Sequence, residues 1–408
     1  MVKKFIEVNL DKRVCDVCGS QNLESLWEYK KNVCINGSHN GYIFKVNNVI
    51  CECCGFCFVS PCFNEEILTD YYATSIRPPK DQPLDYDIGF RMDIINRWAP
   101  PPQGKGSKNK LNFIEIGPST FGEFQEKVND TFKYTAIEPS GLFGSEWRKI
   151  QDFTEANLAE IVSHYFVLEH VSNPTKFLIE CNRLLKINGI MILEVPNIAN
   201  YPSNPVALNL YEHQSHFSLK SLEYLANKAG FIKVECNDKS SRSFGMTMVF
   251  KKTNTIPNPK NPLLQQLPGE YNSNKQIFRL GLLKVNQFFE YFLQAKRFIE
   301  STGGEAVLLW GANQNLLDFL SYEFSNSDLP DNLVVIDSDS QKNNLLIDFD
   351  NRFTKKVFIP SECIETIKKS SKLVCFTRRH QHAILDSIYN LTGKRYKKED
   401  ILIIDINP

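Results

Sequence analysis

Cys15-Asp-Val-Cys18-Gly19 and Cys51-Glu-Cys-Cys54-Gly55 repeat the pattern C-x-x-C-G. Two such knuckles supply four thiolates, the number that encloses one Zn²⁺ tetrahedrally. The glycine after each second cysteine permits the left-handed backbone that closes a knuckle. Cys54-x-x-Cys57 lacks that glycine, because Phe58 follows. Cys15, Cys18, Cys51 and Cys54 are therefore the expected ligands of a structural zinc, with Cys53 and Cys57 as substitutes. Eight of the twelve cysteines lie between Cys15 and Cys62. The opening residues carry no apolar signal segment, so clustered cysteines favour metal over disulfides.

A second group of residues could hold a cofactor. Phe113-Ile-Glu-Ile-Gly117-Pro-Ser-Thr-Phe-Gly122 reads as a strand running into a glycine turn and then a helix. In Rossmann-like sheets such a turn brings backbone close to a ligand above the strand ends. Glu115 could meet a cationic ammonium group, while Gly117, Ser119 and Gly122 shape the loop. Glu138 follows Gly117 by 21 residues, at the end of the next strand. An acid at that spacing can accept hydrogen bonds from ribose hydroxyls. Asp152 and Phe153 come one element later and could bracket an adenine. His164, ending a further strand, completes the candidate cofactor set.

The third group is Tyr211-Glu212-His213-Gln-Ser-His216-Phe-Ser218. It is a loop ahead of a helix for which Ser218 is a good N-cap. Histidine is the natural proton acceptor near neutral pH. His213, with Glu212 beside it, is the candidate general base.

These residues need elements to position them. The chain has 408 residues, enough for several domains. Residues 1–75 are expected to form a small zinc-binding domain. Residues 76–254 alternate strands and helices, which implies a parallel sheet with crossover connections. The run Ala99-Pro-Pro-Pro-Gln-Gly-Lys-Gly and a second Pro-rich stretch from Thr255 read as linkers. Residues 275–408 open with a long amphipathic helix. They continue as a second α/β domain, with a strand, Gly311 turn and helix at Leu308–Leu317 and an acid, Asp337, ending the next strand. Arg378-Arg-His-Gln-His382 could grip a diphosphate, or simply be a solvated loop.

Composition excludes several classes. Lys plus Arg equals Asp plus Glu, 47 each, so no global basic field exists for nucleic acid or anionic membrane. Residues 1–62 are nearly balanced too, which argues against a nucleic-acid-binding zinc module. No apolar run approaches the ~18 residues of a membrane span. A cytoplasmic protein without nucleic-acid or membrane partners is expected, its oligomeric state left open.

The run "HYFVLEHVSNPTKFLIECNRLLKINGIMILEVPN" resembles the later half of class I S-adenosylmethionine-dependent methyltransferases, and "EIGPSTFGEF" and "AIEPS" resemble their first two cofactor motifs. The likeness covers about 140 residues in the expected order. It departs in the first loop, where Gly117 and Gly122 stand five apart. Glu169 and His170 resemble family positions that mostly shape the sheet edge. Tyr211 to Ser218 is similar to the His-Glu-His-Leu-Ser-Tyr-Phe-Ser segment of sugar C-methyltransferases, which act on nucleotide-linked ketosugars. Those proteins also place a four-cysteine zinc domain before the methyltransferase domain and a Rossmann-like domain after it. The resemblance implies S-adenosylmethionine as cofactor, Glu212 and His213 as the catalytic pair, and a nucleotide sugar or glycan precursor as substrate, methylated on carbon or oxygen. The implied fold is a Rossmann-like α/β methyltransferase sheet flanked by a small zinc-binding domain and a C-terminal Rossmann-like domain. A catalytically inactive methyltransferase-like binding module is the alternative reading.

Overall fold

The computed structural model describes residues 2–28, 33–36, 40–74, 86–99, 110–118, 122–139, 149–209, 212–254, 270–324, 329–349, 353–377 and 380–404. The chain forms two compact units, and neither is continuous in sequence. One comprises Leu10–Glu28 and Asn47–Leu282, the other Met1–Asn9, Tyr29–Val46 and Leu283–Pro408.

The first unit is built on six strands: β1 (Asn112–Ile116), β2 (Lys133–Ile137), β3 (Ala159–Tyr165), β4 (Leu185–Pro196), β5 (Phe231–Asn237) and β6 (Gly245–Lys252). Their spatial order is β5-β6-β4-β3-β1-β2. The four strands β2, β1, β3 and β4 are parallel. β6 runs antiparallel to both β4 and β5. The inner strands β1, β3 and β4 are buried along most of their length because helices cover both faces, whereas β2 at the edge is largely half-exposed. On one face, helix Pro174–Leu184 buries Phe177, Leu178, Cys181 and Leu184. Asn173 caps it, and Pro174 occupies its first turn. Helix Leu219–Lys228 is capped by Ser218 and buries Leu222, Leu225 and Ala226 beside it. Phe113 and Ile161 share a second cluster with Phe124 and Val128 of helix Glu123–Thr131 and Ile94 and Ile95 of helix Ile88–Trp98. The chain leaves β1 to one side for β2 and returns on the other for β3. That reversal opens a crevice above the carboxyl ends of β1 and β3, where ligands bind in such sheets.

The cysteine-rich segment supplies a small antiparallel sheet to this unit. Leu23–Glu28 pairs with Asn47–Cys51, which pairs with Cys57–Val59, which pairs with Ser215–His216.

The second unit holds a nine-stranded sheet. Five parallel strands from the C-terminal part lie in the order Ile401–Ile403, Lys372–Cys375, Val307–Trp310, Leu333–Ile336, Thr354–Phe358. Leu346–Phe349 then pairs with Val2–Glu7, beyond which lie Gly41–Phe44 and Val33–Asn36. The first 75 residues thus do not stay together. Phe5 is the reason at side-chain level: it is buried and stacks on Phe349, ring centroids 4.6 Å apart. In this unit Gly311 has φ +104° at the expected turn. Asp337 is committed internally, accepting from Ala312 N at 2.7 Å and Asp339 N at 2.8 Å and pairing with Lys342 at 3.0 Å. Arg378 and Arg379 lie outside the described residues, while His380 and His382 flank the start of helix Gln381–Thr392.

Candidate functional site

A cavity of about 290 Å³ opens over the carboxyl ends of β1, β2 and β3. Its walls include Glu115, Gly117, Glu138, Tyr165, Val167 and His170. Gly117 has φ +68°, and a Cβ there would sit 2.7 Å from Val167 Cγ2. Both the dihedral and the space therefore demand glycine. Its N–H bonds to Ile137 O at 2.8 Å, which ties the turn to β2.

Glu115 is 2% exposed. Tyr134 donates its hydroxyl to Oε2 at 2.7 Å, and Gln125 donates its amide to the same oxygen at 3.2 Å. Burial raises its pKa; these two bonds and the charge of Arg91 pull the other way without cancelling the rise. Glu138 is fully buried at the end of β2. Two acids thus stand at neighbouring strand ends on either side of a glycine turn.

Arg91 also reaches the cavity wall. Its guanidinium lies between the rings of Tyr86 and Tyr165, 4.0 and 3.8 Å from their centroids. It is held there by Glu194 Oε2 at 3.0 Å and Ser241 Oγ at 3.1 Å. The sequence carried no signal for this residue, because its partners lie 103 and 150 positions away.

The other expected cofactor residues fall elsewhere. Gly122 caps helix Glu123–Thr131 with φ −164°, an extended value open to any residue. Asp152 accepts from Lys149 N at 2.9 Å, and Phe153 is buried in the core. At that stretch the cavity wall is Lys149, Ile150 and Gln151 instead. His164 is fully buried within β3 and packs edge-on to Phe177, with ring centroids 5.1 Å apart. Burial lowers its pKa to about 3, so it is a neutral core residue. Strand alternation explains its position: His164 points to the opposite face from Tyr165, which lines the cavity. Ser119 and Tyr211 lie outside the described residues.

His170 lines the cavity and touches the loop of Glu212 and His213. Its Nδ1 is 3.3 Å from Glu212 O, and its ring centroid is 4.7 Å from that of His213. Tyr72, from helix Glu65–Thr74, packs on His170 at 5.5 Å and also lines the cavity. Glu212 accepts from the Tyr71 hydroxyl and from Asn209 Nδ2 at 2.8 Å. His213 is buried, with Nδ1 3.0 Å from Ala207 O. The Glu212–His213 pair thus stands behind His170, and neither residue is part of the cavity wall. The family resemblance assigns His170 to the sheet edge; its place in the cavity wall comes from the fold.

This loop is tied to the cysteine-rich segment. Arg13 donates to Gln214 O and to Ser215 Oγ, the latter at 2.8 Å. His216 is pinned between Tyr201 OH at 2.8 Å and Asn48 Oδ1 at 3.0 Å. It is therefore a structural histidine.

Cys15, Cys18, Cys51 and Cys54 come together, their sulfurs within 4.8 Å of one another. Cys15 Sγ is 3.4 Å from Cys54 Sγ, and Cys18 Sγ is 3.5 Å from Cys51 Sγ. Sulfurs on a tetrahedral zinc at ~2.3 Å would sit roughly 3.8 Å apart. Gly19 and Gly55 close the two knuckles with φ +77° and +74°. Their N–H groups bond to Cys15 O at 2.7 Å and Cys51 O at 2.8 Å. Cys53 is exposed against Ser20, and Cys57 is buried and turned to Gly55 O. Neither joins the four.

Residues 86–235 match the family model described as "Methyltransferase domain". That segment, 150 of the 408 residues, is similar to methyltransferase domains. No curated protein matches it. Solved structures similar to part of it include the N-methyltransferase NodS of Bradyrhizobium japonicum in complex with S-adenosylhomocysteine, at 15% identity and TM-score 0.32, covering 45% of this chain and 96% of that one. A methyltransferase of Mesorhizobium loti is similar at 7% identity and TM-score 0.30, covering 35% and 92%. The 1,6-didemethyltoxoflavin-N1-methyltransferase of Burkholderia thailandensis is similar at 14% identity and TM-score 0.28, covering 36% and 72%. Among the described residues, no helix is long and apolar enough to cross a membrane.

Proposed function

We propose that the chain transfers a methyl group from S-adenosylmethionine to a small molecule, a nucleotide-linked sugar or related glycan precursor, on carbon or oxygen. The observation that carries the reading is the pair of buried acids, Glu115 and Glu138, flanking Gly117 in a cavity at the switch point of the sheet. A cationic ammonium beside Glu115 would compensate a carboxyl that burial alone disfavours in its charged form. Glu138 would accept from the two ribose hydroxyls. Gly117 would let the backbone approach. The cofactor supplies an electrophilic methyl on a sulfonium.

The protein's own residues do the rest: they hold the acceptor in line and handle its proton. Glu212 and His213 are the pair proposed for proton removal; they stand behind His170, which lines the cavity. The Nδ1 contact of His213 with Ala207 O favours the tautomer that leaves Nε2 as acceptor. Cys15, Cys18, Cys51 and Cys54 would hold a structural Zn²⁺, whose closed shell serves the fold rather than the reaction. The sugar assignment rests on the resemblance of the Tyr211–Ser218 segment.

Calorimetric titration of the full chain with S-adenosylmethionine and S-adenosylhomocysteine tests this reading. Saturable binding of both is expected, weakened in Glu115→Gln and Glu138→Gln. Absence of binding at millimolar cofactor would overturn it in favour of a methyltransferase-like binding module.

A further inference from the structure

Glu169, His170 and His213 bring one carboxylate oxygen and two imidazole nitrogens within 4.8 Å of one another. Glu169 and His170 come from the single turn Leu168–His170 that follows β3. His213 comes from the loop pinned by Arg13 and the Cys57–Val59 strand.

Both rings are already oriented by main-chain carbonyls. His170 places Nδ1 3.3 Å from Glu212 O, and His213 places Nδ1 3.0 Å from Ala207 O. An imidazole that gives its Nδ1–H to a carbonyl presents Nε2 as a lone pair. Metal-binding histidines are held in this way. Glu169 supplies the independent observation. It is 1% exposed, and its Oε2 has no hydrogen-bond partner among the described residues. Its Oε1 lies 3.8 Å from His170 Nε2. A buried carboxylate oxygen without a partner is costly, and a cation removes that cost.

We propose that Glu169, His170 and His213 form a metal site for a divalent transition ion, distinct from the four-cysteine cluster. Two imidazoles and one carboxylate suit borderline ions such as Zn²⁺ or Fe²⁺ and leave coordination positions open. Bonds of ~2.0–2.2 Å put donors roughly 3 to 3.5 Å apart, so the three close in by about an ångström on binding. Of the three, His170 lines the cavity, so an ion held by them would sit beside the cavity wall. An ion there polarises an acceptor oxygen and acidifies the adjacent proton. The proposal deepens the part given above to His213 and rests on that reading only for the identity of the reaction. A nitrogen engaged by the ion takes no proton, so in the loaded protein His213 promotes proton removal through the ion.

Cobalt titration of the full chain, stripped of metal and kept reduced, tests it. Thiolate-to-cobalt charge transfer reports the cysteine cluster. A weaker visible band without sulfur charge transfer reports a nitrogen–oxygen site. Two equivalents are expected in the native chain. One is expected in Glu169→Gln and in His170→Asn, each keeping the thiolate band and the native circular dichroism. Saturation of the native chain at one equivalent, with the thiolate band alone, overturns the site. So does a second equivalent that survives in both variants. The native stoichiometry decides by itself if a variant fails to fold. One equivalent together with intact cofactor binding removes the ion and leaves the methyltransferase reading standing.

Discussion

Glu115 carries the most testable electrostatics of the site. Its folded pKa is raised, chiefly by burial. A raised acid adds stability below its unfolded value, about 4.3, and loses it as pH rises through the folded value. The cofactor-free protein should therefore melt at lower temperature as pH climbs through that window. Glu115→Gln should flatten the profile, as thermal melts across pH will show. The same variant should weaken S-adenosylmethionine roughly 10- to 100-fold, the cost of one charge-assisted contact. His213→Ala should abolish turnover while cofactor affinity stays within about threefold. Unchanged turnover in a methyl-transfer assay would remove His213 from the reaction.

Among the elements, the short strand Ser215–His216 joins the cysteine-rich sheet to the loop of Glu212 and His213. It pairs with Cys57–Val59, which pairs with the strand that ends at Cys51. Loss of the zinc proposed for the four cysteines should loosen this sheet and, with it, the loop of Glu212 and His213. Hydrogen exchange should quicken at residues 213–216 in Cys51→Ser or after chelation, while β4 stays protected. Equal protection with and without metal would separate the cluster from the loop. The turn after β1 makes a second test. Gly117→Ala combines a left-handed dihedral with a collision against Val167. It should cost about 1–3 kcal/mol in denaturant unfolding and lower cofactor affinity as the turn shifts.

For the whole molecule, the distinctive fact is that the N-terminal strand Val2–Glu7 belongs to the sheet built mostly from the C-terminal part. Phe5 is 1% exposed and sits in the same cluster as Val335, Phe349 and Val374. Phe5→Ala should cost about 3–5 kcal/mol, read as early unfolding of that unit by fluorescence or proteolysis. S-adenosylmethionine binding by the other unit should persist through that early transition. Concerted loss of both would show that the two units unfold as one.

Local chemistry was legible in the residues themselves. The C-x-x-C-G repeat names its four sulfurs and two left-handed glycines, because ligand type and knuckle turn are both short-range requirements. The Phe113–Gly117 strand and turn, Glu138 at the next strand end and the helix Pro174–Leu184 follow from period, caps and spacing over a few residues. Long-range placement was not legible. Only the fold turns His164 into the core and Tyr165 to the cavity, since a half-turn of strand phase depends on what packs above. Only the fold sets Arg91 between two tyrosines, brings Glu169, His170 and His213 to one point, and carries Val2–Glu7 into a sheet built more than 300 residues later. Those pairings are chosen by burial and hydrogen bonding across the whole chain, which no short window of sequence contains.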